Sequence, residues 1–358
     1  MAQVEPFRAV RYDERVAGPI ASLVAPPYDV IDAAARERYR ALSPYNVVHL
    51  TLPDDETDVA RTWTHWLEAG VLARDCEPAL WWLSQTYLGP DGIERSRDGL
   101  VCSLRAEPYE TGAVLPHERT HAGPKEGRLR LLRALRAHVE PIFLLYDGAL
   151  DAPKGGPLVD VELDGVRNRL WPLAAAVPVC LAEAKLLIAD GHHRYETALD
   201  FHDEDGTPAS AWLLAVIVPT EQEGLTIFPT HRIVERLGEV EGRSVASVAE
   251  GLASLPGDRS GAVLYRAGSV SVIEGEPYEP DTALAARLGG EGITYTAVLE
   301  DAVSAVDRGA ANAALLVRSP SIELIRELAE RGEVMPQKTT YFYPKLPSGL
   351  LFYPLDQS

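Results

Sequence analysis

A short apolar stretch, Lys185–Ala189, runs directly into Asp190-Gly191-His192-His193-Arg194, and a helical pattern then continues through Phe201. A strand that turns through one glycine into a helix commits the chain to layers of sheet and helix. Gly191 permits the tight turn and a close backbone approach to a bound group. The helix start offers orphan N–H groups and the positive end of the dipole, which suit an anion. His192, His193 and Arg194 add donors and charge. Asp190 adds a carboxylate that can orient a histidine or hold a divalent metal, here Mg²⁺. We read the turn as a phosphate-handling loop. The competing reading is an ordinary helix start with Asp190 as cap and two surface histidines.

The rest of the chain fits the layered expectation. Most of its 27 prolines and 28 glycines punctuate short elements, the habit of a mixed α/β chain. The pattern predicts helices over Asp32–Leu42, about Thr57–Ala69, Arg128–Ala137, Ser244–Leu255, Tyr295–Arg308 and Ser321–Arg331. It predicts strands over Asn46–Leu52, Ala79–Tyr87, Arg97–Leu104, Pro141–Tyr146 and Ala211–Val218. The 358 residues suggest two or three domains at roughly 150 residues each. We place them at 1–110, 111–235 and 236–358, an N-terminal α/β region, a phosphate-handling core and a C-terminal α/β region.

A second constellation precedes the first. It is Pro116-His117-Glu118-Arg119-Thr120, then Gly123-Pro124-Lys125, then the Arg128 helix. Residues 117–137 hold six Lys or Arg against Glu118 and Glu126. Glu118, a carboxylate among cations, is a candidate general base. His117, Arg119, Thr120, Lys125 and Arg128 are candidate phosphate contacts. The five residues from His117 to His121 also satisfy H-E-x-x-H. Zinc chemistry needs both histidines on one helix face. Pro116 stands before the segment and Gly123-Pro124 after it, so no zinc is expected.

The third constellation is the C-terminal stretch Met335–Lys345. Its hydroxyls and ammoniums, including Lys338, Thr339 and Lys345, suit a phosphate or carboxylate, or else an aromatic strand that packs the tail. There are only five lysines, and Lys125, Lys338 and Lys345 all fall inside these three motifs.

Charge then excludes whole classes of partner. The net charge of −19 opposes polyanions held by phosphate neutralisation, so neither nucleic acid nor an anionic membrane is expected. Three widely spaced cysteines without a C-x-x-C fit the reducing cytoplasm. No apolar leader and no membrane-length apolar run are visible. What remains is a small phosphorylated ligand held in a locally cationic cleft.

The landmarks Ala25–Val30, Asn46–Leu50, Leu115–Thr120 with Gly123-Pro124-Lys125, Ile188–Leu199, Pro229–Arg232 and Met335–Lys345 resemble those of the domain-of-unknown-function family 1015. The resemblance covers nearly the whole chain. Pro-His-Glu, a helix, a Pro-led strand and Asp-Gly-His-His-Arg are more distantly similar to the ParB/sulfiredoxin-like core, and within it to the free-serine kinases. That likeness implies Glu118 as base on an acceptor hydroxyl, with Gly191, His192, His193 and Arg194 as the phosphate cradle. It implies a kinase using ATP, ADP or pyrophosphate with Mg²⁺, and free L-serine as the first acceptor to test. The gap from Glu118 to Asp190 is longer than in the small kinases, so an insertion is expected within Tyr146–Ala184. His192 stands where sulfiredoxin has its reactive cysteine. The alternatives are a nucleotide-sensing module without turnover and a phosphate-ester hydrolase on the same site.

Overall fold

The structure, a computed structural model, describes residues 1–120, 122–181, 184–336 and 338–356. It is a mixed α/β fold, as the sequence patterns require. Among the described residues the largest sheet has nine strands. Its middle is built by Ile142–Tyr146, Trp212–Pro219, Glu94–Arg105 and Leu80–Leu88. Ile142–Tyr146 and Trp212–Pro219 are near-continuous apolar runs because both faces are covered, while Leu80–Leu88 and Glu94–Arg105 also carry polar residues. Leu186–Asp190 pairs antiparallel with Ile142–Tyr146 and parallel with Val114–Leu115. Residue 110 lies within the span of this sheet, since Glu94–Arg105 pairs directly with Trp212–Pro219.

A second, six-stranded antiparallel sheet takes strands from His231 to Leu316. Its edge strand Glu291–Thr296 pairs with His231–Arg236. The tail then returns to the first body. Tyr341–Tyr343 pairs with Thr226–Phe228, and Phe352 bridges to Val10. Phe342 and Phe352 are buried there, so the aromatic tail packs as well as lining a site.

Several expected elements change. Asn46–Leu52 was expected as a strand, but Val48–Thr51 is a short helix. Asn46 explains it: its Oδ1 accepts the Val48 N–H, and its Nδ2 donates to the Ser22 and Val24 carbonyls. Such local side-chain bonds compete with strand pairing. The Arg128 helix starts earlier, at Ala122, and ends at Leu135. A proline is tolerated in a first turn because its missing N–H has no partner there anyway. Leu129 and Leu132 face one core cluster while Leu131 and Leu135 face another.

In the second sheet's region, Arg243–Val245 is a strand and the helix spans only Val248–Ala253, started by Ser247, whose side chain accepts the Glu250 N–H. Tyr295 belongs to the edge strand, and the helix begins at Leu299. The segment between Tyr146 and Ala184, where an insertion is expected, holds a hairpin, Val159–Leu163 with Val166–Leu173, that extends the large sheet beyond Leu80–Leu88.

Candidate active site

The strand Leu186–Asp190 carries a register irregularity between Ile188 and Asp190. Bulges of this kind re-aim side chains at sheet ends. The chain then turns at Gly191 into the helix His192–Asp205. Gly191 has φ 96°, a region that L side chains avoid. A Cβ there would lie 2.9 Å from Ile142 Cγ2 and 3.2 Å from Arg194 Nη2. Gly191 is itself the helix N-cap, and no side chain caps the helix. Asp190 is therefore not the cap. The first turn opens into a cleft of about 810 Å³.

Asp190 makes two ion pairs. Lys345 Nζ lies 2.5 Å from Oδ1, and Arg194 Nη2 lies 2.8 Å from Oδ2. Burial opposes the charge on Asp190. The nearby Lys345 and Arg194 overcome it and hold the carboxyl well below the usual range. Arg194 also donates to the Pro141 carbonyl. With both oxygens engaged by cations, Asp190 does not fit the role of magnesium ligand. Among the described residues no group of three or more His, Cys, Asp or Glu could hold a metal ion.

Glu118 reaches the same cleft from an extended segment. The Met335 N–H donates to the His117 carbonyl at 2.8 Å, and the Arg119 N–H donates to the Met335 carbonyl at 3.2 Å. This zipper fixes the Glu118 backbone between them. Burial and then the Asp190 charge push the Glu118 carboxyl up to about 7, against the pull of Lys345 and Lys338. A carboxyl poised there can exchange a proton at physiological pH.

His117 sits behind the cleft, fully buried. Its Nδ1–H donates to the Ile188 carbonyl at 2.5 Å, which leaves Nε2 to accept from the Thr340 hydroxyl at 3.0 Å. Burial lowers its pKa to about 4, so it is neutral at pH 7. His192 Nε2 accepts the His117 backbone N–H at 3.3 Å. The two rings meet edge to face at 4.6 Å. Burial, and then His117, also keep His192 neutral. The His117–Thr120 segment is extended rather than helical, and both His117 nitrogens are used, so the one-helix zinc geometry is not formed there. His121, the second histidine of that pattern, lies outside the described residues.

The structure thus brings Glu118, Asp190, Gly191, His192, His193, Arg194, Lys338 and Lys345 to one cleft. Other candidates do not line it. Lys125 pairs with Asp200 at 2.8 Å and Glu196 at 3.5 Å, and Thr120 donates to Glu196. Arg128 lies over the Tyr28 ring, donates to the Thr51 carbonyl and faces Glu140. Arg119 is exposed and contributes its backbone to the zipper. Thr339 is buried, with its hydroxyl on the Pro336 carbonyl. The basic island at 117–137 is matched by acids distant in sequence. Arg130, Arg133 and Arg136 pair with Glu56, Glu204 and Asp205.

Sequence reasoning missed part of the wall. Tyr28 and Asp29 line the cleft, and Tyr295 and Thr296 cover it from the edge strand of the second sheet, whereas Thr340 and Tyr341, which also line it, belong to the C-terminal stretch that the sequence singles out. Ala25–Val30, which holds Tyr28 and Asp29, is a family landmark to which the sequence alone assigns no role. Tyr295 carried no signal because the sequence read it as a helix start.

A family model described as a protein of unknown function (DUF1015) matches residues 4–285. No curated protein matches the sequence. Among solved structures, a conserved hypothetical protein from Pyrococcus furiosus is 17% identical, with a TM-score of 0.42, 69% of this chain and 94% of that one being covered. A free serine kinase in complex with AMP is 17% identical, with a TM-score of 0.41 and coverage of 66% and 89%. A variant of a free serine kinase in complex with ADP is 16% identical, with a TM-score of 0.42 and the same coverage.

Proposed function

The chain belongs to DUF1015, a family of proteins of unknown function, and for this member we propose phosphoryl transfer to the hydroxyl of a small molecule. One observation carries the reading. Glu118, poised near neutrality, shares a cleft with Lys345, Arg194 and the open first turn of a long helix. A base beside an anion cradle is what transfer to a hydroxyl needs.

In this reading the donor phosphates lie on the Gly191–Arg194 turn. Lys345, Lys338 and Arg194 face the charge on the transferred group. Glu118 takes the hydroxyl proton as the new P–O bond forms, and the donor leaves one phosphate shorter. His192 and His193 position the phosphate; burial keeps His192 neutral, so it acts as a hydrogen-bonding group and not as a charge. ATP, ADP and pyrophosphate are the donors to test. The cleft of about 810 Å³ is large enough for a nucleotide and a small acceptor together. Free L-serine is the first acceptor. Mg²⁺ enters this proposal as a companion of the donor, without Asp190 as ligand. The three free cysteines suit a cytoplasmic setting. Among the described residues no helix is long and apolar enough to cross a membrane.

The test is a transfer screen. Each donor is incubated with a panel of amino acids and polyols and read by phosphorus NMR. A phosphorylated acceptor supports the kinase. Release of inorganic phosphate without acceptor indicates a hydrolase, and donor binding without product indicates a sensing module.

A further inference from the structure

Three polar side chains stand in a row across three neighbouring strands of the large sheet. Asn168 is the cross-strand partner of Gln85, and Gln85 is the partner of Arg97. All three are buried. Gln85 Nε2 donates to Asn168 Oδ1 at 2.9 Å and to the Lys345 carbonyl at 3.2 Å. Arg97 Nη2 donates to Gln85 Oε1 and, at 2.6 Å, to the Pro344 carbonyl. The row therefore ends on the backbone that carries Lys345.

Arg97 is unusual company for a sheet interior. Among the described residues no carboxylate pairs with it. Its guanidinium lies 4.5 Å from the centre of the Phe143 ring, and Nη1 has no hydrogen-bond partner. Burial lowers its pKa only to about 10, so it stays charged at pH 7. A buried cation without a counter-charge costs more than an apolar residue of the same size.

We propose that Arg97 is a positioning residue for the cleft. It holds the Pro344–Lys345 backbone so that Lys345 meets Asp190 beside the phosphate turn, and it places standing positive charge behind that turn. Arg97, Arg194 and Lys345 gather around Asp190, with Asp29 and Glu140 the further acids that act on Arg194 and Asp29 also acting on Lys345. Three cations gathered at one phosphate turn favour a multiply charged anion over a simple carboxylate. The positioning role rests on geometry alone. The anion preference rests on the phosphoryl-transfer reading and specifies its ligand.

The test uses the full chain with Arg97→Met and Arg97→Lys. Lys345 is acylated by an amine-reactive reagent and followed by peptide mass spectrometry, with the exposed Lys154 as internal reference. Pyrophosphate affinity is measured by calorimetry. Losing hydrogen bonds from a charged donor predicts Lys345 acylation faster by about tenfold in Arg97→Met, with Lys154 unchanged. Pyrophosphate affinity falls by a similar factor, roughly tenfold. Arg97→Lys keeps the charge but cannot bridge Gln85 and Pro344. It regains most of the pyrophosphate affinity while Lys345 acylation stays fast. Should Arg97→Met fail to fold, Arg97→Lys alone decides the positioning claim. Unchanged Lys345 acylation in the folded variants overturns the proposal. Failure of the wild type to bind pyrophosphate sinks the phosphate reading instead, and the Lys345 result still judges the positioning.

Discussion

Lys345 Nζ sits 2.5 Å from Asp190 Oδ1, across 155 residues of sequence. The contact ties the C-terminal tail to the turn that opens the cleft. Arg194 holds the other oxygen of the same carboxylate, so one acid orders two cations at the helix start. Removing either cation leaves a largely buried charge poorly matched.

Lys345→Met tests that arrangement. Breaking a buried pair on one side costs about 3 kcal/mol, the low end of the range, because both side chains keep some solvent contact. The variant is expected to unfold at lower denaturant concentration. Adding Asp190→Asn should recover only part of the loss, because Arg194 then loses its carboxylate partner. A single variant as stable as the wild type contradicts the pairing.

Glu118 gives a pH signature in stability. Its folded carboxyl is raised from the ordinary value to about 7, so the folded state binds the proton more tightly than the unfolded one. The stabilising contribution is full below the ordinary carboxyl range and is lost as pH rises through about 7. Glu118→Gln cannot ionise. Its melting temperature relative to wild type should therefore increase between pH 5 and pH 8. A difference that is flat with pH contradicts the raised carboxyl.

Gly191→Ala strains the turn twice, through φ 96° and through the 2.9 Å approach to Ile142. The expected loss is about 1–3 kcal/mol. Pyrophosphate binding should weaken in the fraction that remains folded. Thermal melting and calorimetry read the two effects separately.

Lys125→Ala is the contrasting case. The lysine belongs to the second sequence constellation, yet its partners are Asp200 and Glu196 and it does not line the cleft. Surface pairs of this kind contribute about 1 kcal/mol or less. Transfer rates should stay within about twofold of wild type, less than 1 kcal/mol in barrier. A hundredfold loss would place Lys125 at the reacting group.

The site was legible where its signal is local. Asp190–Arg194 could be read because strand, glycine and helix follow one another within a few residues. Glu118 could be read from its setting beside Pro116 and Gly123-Pro124. The sequence did not separate cations that face a ligand from cations held by acids. Lys125 and Lys345 look alike as letters, and only folding shows that one meets Asp200 while the other meets Asp190. Arg97 was hidden for a related reason. Its meaning comes from cross-strand register with Gln85 and Asn168, which is set by pairing between distant segments. Tyr295 was lost to a misplaced boundary, since its strand and the following helix share one polar, β-branched stretch.

The central claim is that Glu118 acts as base in a phosphoryl transfer supported by the Gly191–Arg194 turn. Single-turnover transfer from ATP, ADP or pyrophosphate to L-serine, measured for wild type and Glu118→Gln across pH 5.5 to 8.5, tests it most directly. The account predicts transfer by the wild type that rises with pH and levels off above about 7, with Glu118→Gln slower by roughly 10²–10⁴-fold while donor affinity persists. Equal rates in the two proteins, or transfer independent of pH, would contradict it.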